Sequence, residues 1–180
     1  MSAFKTNFTD CYNRGQEFEQ TAMGILRENG YSVENATLDE NKYQKIDFWA
    51  VGKDAKRYSF DAKAMRSLVR GGPLQDEWVV VEWKNVIGLP GSIYGKQDFF
   101  VFERMNTILI VRRTRLLEFA KSRVDFTKIA NRSDAAFYGV YTRHGRGDLI
   151  SQINLNDLPT TFTRAFPRSQ PTSLKAYPCS

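Results

Sequence analysis

Apolar residues recur at Phe18, Ala22, Met23, Ile25 and Leu26, one arc at about 100° per residue. This predicts an amphipathic helix over residues 12–29, stopped by Gly30. Beyond it the period shortens. "YSVENATL" (31–38) and "KIDFWAVG" (45–52) are predicted strands, "KDAK" is a polar turn, and "RYSFDAKAM" (57–65) returns antiparallel. "WVVVEWKNV" (78–86), rich in Val and Trp, is a third strong β segment. The stretches around Gly71-Gly72-Pro73 and "IGLPGSIYGKQ" are loops. "DFFVFER" fits either a strand or a short helix. "TILIVRR" (107–113) is a buried strand leading into a helix, "TRLLEFAKSRV". "AFYGVYTR" and "LISQINL" form a late hairpin around "HGRGD". The expected architecture is one α/β (α+β) domain over residues 1–158, with a mixed sheet. The tail from Pro159, holding Pro167, Pro171 and Pro178, is expected to be an extended arm, residues 159–180.

The pattern places carboxylates where apolar residues are expected. Burying a carboxylate on a strand is costly unless something compensates it. Residues i and i+2 of a strand share a face, so Asp61 and Lys63 point the same way. Asp47 lies on the preceding strand across a short turn, beside Asp61. Two carboxylates and an ammonium on one patch suit a hard divalent cation, Mg²⁺ or Mn²⁺. Such a cation could polarise a phosphoryl group and lower the pKa of a bound water. The lysine could help deprotonate that water, or offset charge on phosphate oxygens. Glu19 falls inside the core-facing arc of the first helix, whereas Glu17 falls on the solvated side.

Composition bounds the rest. The 180 residues are 42% apolar and 13% aromatic, a globular balance. No apolar run approaches the roughly 20 residues of a membrane span, and "MSAFKTNFTDCYNRG" lacks a signal-peptide core. Cys11 and Cys179 form no metal-type spacing, and free thiols in the cytoplasm are expected. The single histidine, His144, argues against histidine zinc sites and Ser-His-Asp triads. The net charge of +6 is unevenly spread: residues 1–90 hold 12 Lys/Arg and 13 Asp/Glu, residues 91–180 hold 14 and 7. A basic half beside an acidic patch suits a polyanionic substrate. The candidate phosphate contacts are Arg112, Arg113, Arg115, Lys121, Arg143 and Arg146, with Arg164 and Arg168 behind them.

"GQEFEQTAMGILRENGYSV" followed by "KIDFWAVG" and "YSFDAKA" resembles the PD-(D/E)XK nuclease superfamily, and within it the resolvase-like branch. The resemblance covers roughly residues 13–120. It implies a restriction-endonuclease-like core, a mixed β-sheet flanked by helices. It implies Glu19 as a supporting ligand, Asp47 and Asp61 as metal ligands, and Lys63 as the catalytic lysine. It further implies Mg²⁺-dependent cutting of DNA, with Mn²⁺ an alternative, by a homodimer. "VEWKNVIGLPGSIYGKQDFFVFER" is similar to small phage proteins of this superfamily, which implies a host-cell cytoplasm. Two departures stand out: Ile46 takes the place of the motif proline, and the third-strand acid is Asp61 where Glu is commoner.

Glu82 and Lys84 in "VEWKN" repeat the acid-x-lysine spacing and offer a rival or additional site, provided their strand lies beside Asp61. The expected function is a metal-dependent DNA endonuclease, structure-specific in the resolvase manner. The alternative is an inactive nuclease-like module that binds nucleic acid or a host protein.

Overall fold

The computed structural model describes residues 3–69 and 72–168, with side chains from Tyr12 onward. Helix α1 (Ala3–Glu28) begins before the predicted start and ends as predicted. Gly30 takes φ +84°, and the Tyr31 N–H donates to the Leu26 carbonyl at 3.1 Å, a left-handed stop that favours glycine. The chain then makes an antiparallel meander of β1 (Ser32–Asn35), β2 (Phe48–Val51) and β3 (Arg57–Lys63). It next leaves the sheet for a small ladder of β4 (Arg66–Ser67) with β5 (Leu74–Gln75), then β6 (Trp78–Lys84). It returns as β7 (Phe99–Glu103), parallel to β3, and β8 (Thr107–Arg112), antiparallel to β7. Helix α2 (Arg113–Arg123) follows, then β9 (Leu149–Asn154) and β10 (Thr163–Pro167). The main sheet is mixed, in the order β1-β2-β3-β7-β8-β10, and β6 pairs with β9 in a separate antiparallel ladder.

Strand alternation divides the core into two layers. Phe48, Ala50, Phe60, Val101, Ile108 and Ile110 face α1, where Phe18, Ala22, Met23, Ile25 and Leu26 meet them. Phe100, Phe102, Leu109 and Val111 point the other way, against Val81, Trp83 and Ile153 of the β6–β9 ladder and Leu116 and Phe119 of α2. Each large apolar side chain so buried contributes about 1.5–3 kcal/mol.

The structure corrects several expectations. Helices lie on both faces of the sheet, as expected, but α2 shares its face with the β6–β9 ladder, which the sequence did not foretell. The strong β6 segment is not a neighbour of β3, because its partner β9 lies far along the chain, with Val81 opposite Ser151. "DFFVFER" is strand β7. The late hairpin is reduced to two isolated bridges, Tyr141 to Ile150 antiparallel and Phe137 to Gln152 parallel, while the continuous partner of β9 is β6. The segment after Pro159 is no free arm: β10 is the edge strand beside β8, and Phe166 is buried in the α1 layer. Pro167 is tolerated because it closes an edge strand. Residues 169–180, with Pro171, Pro178 and Cys179, and also Gly71 and the Cys11 side chain, lie outside the described residues. Among the described residues no helix is long and apolar enough to cross a membrane.

Candidate active site

Asp47 stands just before β2, its N–H bonded to the Phe60 carbonyl at 2.8 Å. The β2–β3 register of Phe48 opposite Phe60, continued by one step, sets Asp47 across from Asp61. On its other side Asp61 pairs with Phe100 of β7, so it occupies an interior position of the sheet and is 2% exposed. Its Oδ1 meets Lys63 Nζ at 2.5 Å, and Lys63 keeps 38% of its side chain open to solvent. Asp47 is held at both oxygens. Oδ2 accepts from the Ala62 N–H at 2.7 Å, and Oδ1 accepts from Asn41 Nδ2 at 2.6 Å. Asn41 belongs to a π-helical turn, Glu40–Gln44, closed by Lys45 in the left-handed region at φ 62°. Such turns recur at functional sites.

The electrostatics follow from this crowding. Burial, reinforced by the Asp47 charge, pushes the Asp61 carboxyl up to about 7 against the opposing pull of Lys63. Glu19, half-buried on α1, is likewise pushed up to about 7, by burial first and then by Asp47, with Lys63 opposing. Burial alone would lower the Lys63 pKa. Asp61 and Asp47, helped by Glu82, outweigh it and hold the ammonium above its usual range. The four residues picked out by the helical and strand periods thus share one field.

Glu82 joins that field from the opposite ladder. It is half-buried, and its Oε2 accepts from the Ser92 N–H at 3.1 Å. Gly91 makes this approach possible, since a Cβ there would stand 2.1 Å from the Glu82 carbonyl oxygen. Lys84 does not accompany it. A register shift separates Glu82 from Lys84 in the pairing with β9, and Lys84 is exposed.

The sequence reading did not single out Gln97, Asn41 and Ser92. Gln97 is 1% exposed. Its Nε2 donates to the Ser92 carbonyl at 2.8 Å and lies 3.5 Å from Asp61 Oδ2, while its Oε1 is buried without a partner. Arg113 fixes this loop, donating from Nε to the Gln97 carbonyl at 3.0 Å and from Nη1 to the Ile93 carbonyl at 3.4 Å. No sequence period marks these residues; the stretch "IGLPGSIYGKQ" reads from sequence only as a loop.

Of the basic candidates, Arg113 is therefore a loop brace, and Arg168 is buried on Glu103 at 2.7 Å. Arg112 is exposed over the Phe99 ring, Arg115 pairs with Glu118 at 2.9 Å, and Lys121 lies 5.8 Å from the Tyr94 ring centre. Arg143 is paired with Asp148 at 2.6 Å, Arg146 is exposed, and Arg164 donates to the Tyr31 hydroxyl at 3.2 Å.

No group of three or more His, Cys, Asp or Glu among the described residues is arranged to hold a metal ion. Mg²⁺ usually takes only one or two protein carboxylates and keeps its waters. Asp47 and Asp61 fit that smaller donor set, and Glu19 lies within the field of Asp47 and Lys63. No family model, curated protein or solved structure matches the chain.

Proposed function

We propose that the chain is a divalent-cation-dependent phosphodiester hydrolase acting on DNA, built on a restriction-endonuclease-like core. The observation that carries this is the contact set of Asp61: Lys63 at 2.5 Å on its own strand, and Asp47 on the neighbouring strand, bonded to the next backbone N–H. The order α1-β1-β2-β3, followed by a strand parallel to β3, supports the reading.

Asp47 and Asp61 are the residues that would hold Mg²⁺ or Mn²⁺, with Glu19 completing the acidic side. When bound, the cation polarises the phosphoryl oxygen and lowers the pKa of its water. Lys63, held protonated by its acidic neighbours, offsets charge on the phosphate oxygens; taking a proton is not its task. Asn41 and the Ala62 N–H fix the orientation of Asp47, and Gln97 does the same for Asp61. Glu82 is an accessory acid in this scheme, and Lys84 has no part in it.

The test is cleavage of supercoiled plasmid, single-stranded DNA and a four-way junction with Mg²⁺ or Mn²⁺. Wild type cuts, while Asp61→Asn and Lys63→Ala do not. Cutting that survives both variants but fails in Glu82→Gln would move the site to β6. Binding without cutting under all conditions would favour the inactive binding module.

A further inference from the structure

Beyond Glu82, β6 runs into a tip with an unusual surface. Val86 is 43%, Ile87 76% and Leu89 56% exposed. The tip is rigidly built. Asn85 Oδ1 accepts from the Ile87 N–H at 3.1 Å and the Leu89 N–H at 3.0 Å. The Asn85 N–H donates to the Leu89 carbonyl at 2.8 Å, and the Gly88 N–H to the Asn85 carbonyl at 2.9 Å. Gly88 takes φ +82°. The tip is braced by the 143–147 loop: the Gly147 N–H donates to the Val86 carbonyl at 2.9 Å, and a Cβ on Gly147 would lie 2.6 Å from the Gly88 nitrogen.

That brace brings exposed Arg146 beside the aliphatic tip, while Arg143 of the same loop is paired with Asp148 at 2.6 Å. Exposed Lys84 lies at the strand end below. A preorganised aliphatic point ringed by cations matches a polyanion with a stacked apolar interior. We propose that the 85–89 tip is a wedge that inserts between bases of a branched or distorted DNA duplex, with Arg146 and Lys84 holding the flanking phosphates. Asn85 lies three positions beyond Glu82, about 10 Å of strand, so one duplex could span wedge and site. A protein partner would leave the cations without a purpose, and three aliphatic side chains are a small anchor for a membrane. The inference deepens the proposed function and rests on its nucleic-acid substrate.

The experiment uses the full chain in EDTA, where binding is read without cutting. A four-way junction and a linear duplex carry 2-aminopurine at the branch or the matching position. Wild type is expected to raise the junction fluorescence severalfold and the duplex signal much less. The double variant Ile87→Ser/Leu89→Ser, checked for an unchanged melting temperature, is expected to lose this rise while keeping affinity within about threefold. Arg146→Ala should weaken binding about tenfold with the fluorescence at saturation unchanged. An equal rise in wild type and the double variant, or no rise on a junction that wild type binds, overturns the wedge. So does binding to anionic phospholipid vesicles, lost in the double variant, without junction binding. A severalfold rise from a protein that never cuts with Mg²⁺ or Mn²⁺ keeps the wedge and removes the hydrolase.

Discussion

Asp61 and Lys63 are an ion pair at 2.5 Å whose acid is shut inside the sheet and whose cation reaches solvent. The pair is not arranged for stability, because Asp47 crowds the same carboxylate. Asp61→Asn therefore removes function and raises stability together. Cleavage with Mg²⁺ is expected to fall by about a thousandfold or more, as for loss of an essential group. The melting temperature at pH 8 is expected to rise by a few degrees. An Asp61→Asn protein that melts below wild type at pH 8 would show that the buried charge is a structural need.

The pH dependence of stability follows from the same groups. Asp61 and Glu19 have folded-state values of about 7, well above the ordinary carboxylate range. Between about pH 4 and 7 the native state holds protons that the unfolded chain has released. Their stabilising contribution is therefore full below the ordinary carboxylate values and is lost as pH rises through 7. In EDTA the melting temperature is expected to be on the order of 5 °C higher at pH 5.5 than at pH 8.5. Asp61→Asn should flatten roughly half of that slope, Glu19 keeping the rest. Calorimetry across the range decides it, and a wild-type profile that rises towards alkaline pH contradicts the assignment.

The candidate site was legible where local periods decide geometry. Period 2 set Asp61 with Lys63, the short turn after β2 set Asp47 beside them, and the helical arc selected Glu19. What could not be read depends on long-range pairing. Val81 opposite Ser151 puts Glu82 in a different ladder from Asp61, and no local pattern encodes that choice. In "VEWKN" the acid-x-lysine spacing meets a register shift after Glu82, and Lys84 is left exposed. Asn41 acts through a π-turn and Gln97 through a loop, conformations without a sequence period. The prolines after residue 159 suggested an arm, yet an edge strand tolerates proline, and burial of Phe166 repays the pairing.

Gln97 separates positioning from scaffolding. Gln97→Leu removes the bonds to Ser92 and Asp61, and it also removes the orphaned Oε1. Losing a bond and an unsatisfied acceptor together nearly offset, so stability is expected to change by less than about 1 kcal/mol. Cleavage should fall about tenfold, with DNA affinity in EDTA unchanged, because Asp61 Oδ2 loses the Gln97 contact and the Lys63 pair is left to orient the carboxylate. A large stability loss with proportionate activity loss would make Gln97 a structural residue only.

Glu103 ends β7 and ties three segments together. Oε2 accepts from Arg14 Nη2 of α1 at 2.6 Å and from the Met65 N–H at 2.9 Å, while Oε1 accepts from Arg168 Nη1 after β10 at 2.7 Å. All three charged side chains are under 10% exposed. Glu103→Leu leaves two buried guanidinium groups without this shared anion, and is expected to cost about 3–5 kcal/mol in urea unfolding. Glu118→Ala, which breaks the exposed Arg115 pair, should cost less than about 1 kcal/mol. The contrast is the test, because both changes delete one carboxylate and differ mainly in solvent. Similar small losses for the two would mean that water reaches Glu103, and that its ion pairs add little to holding α1 and the end of β10 against the sheet.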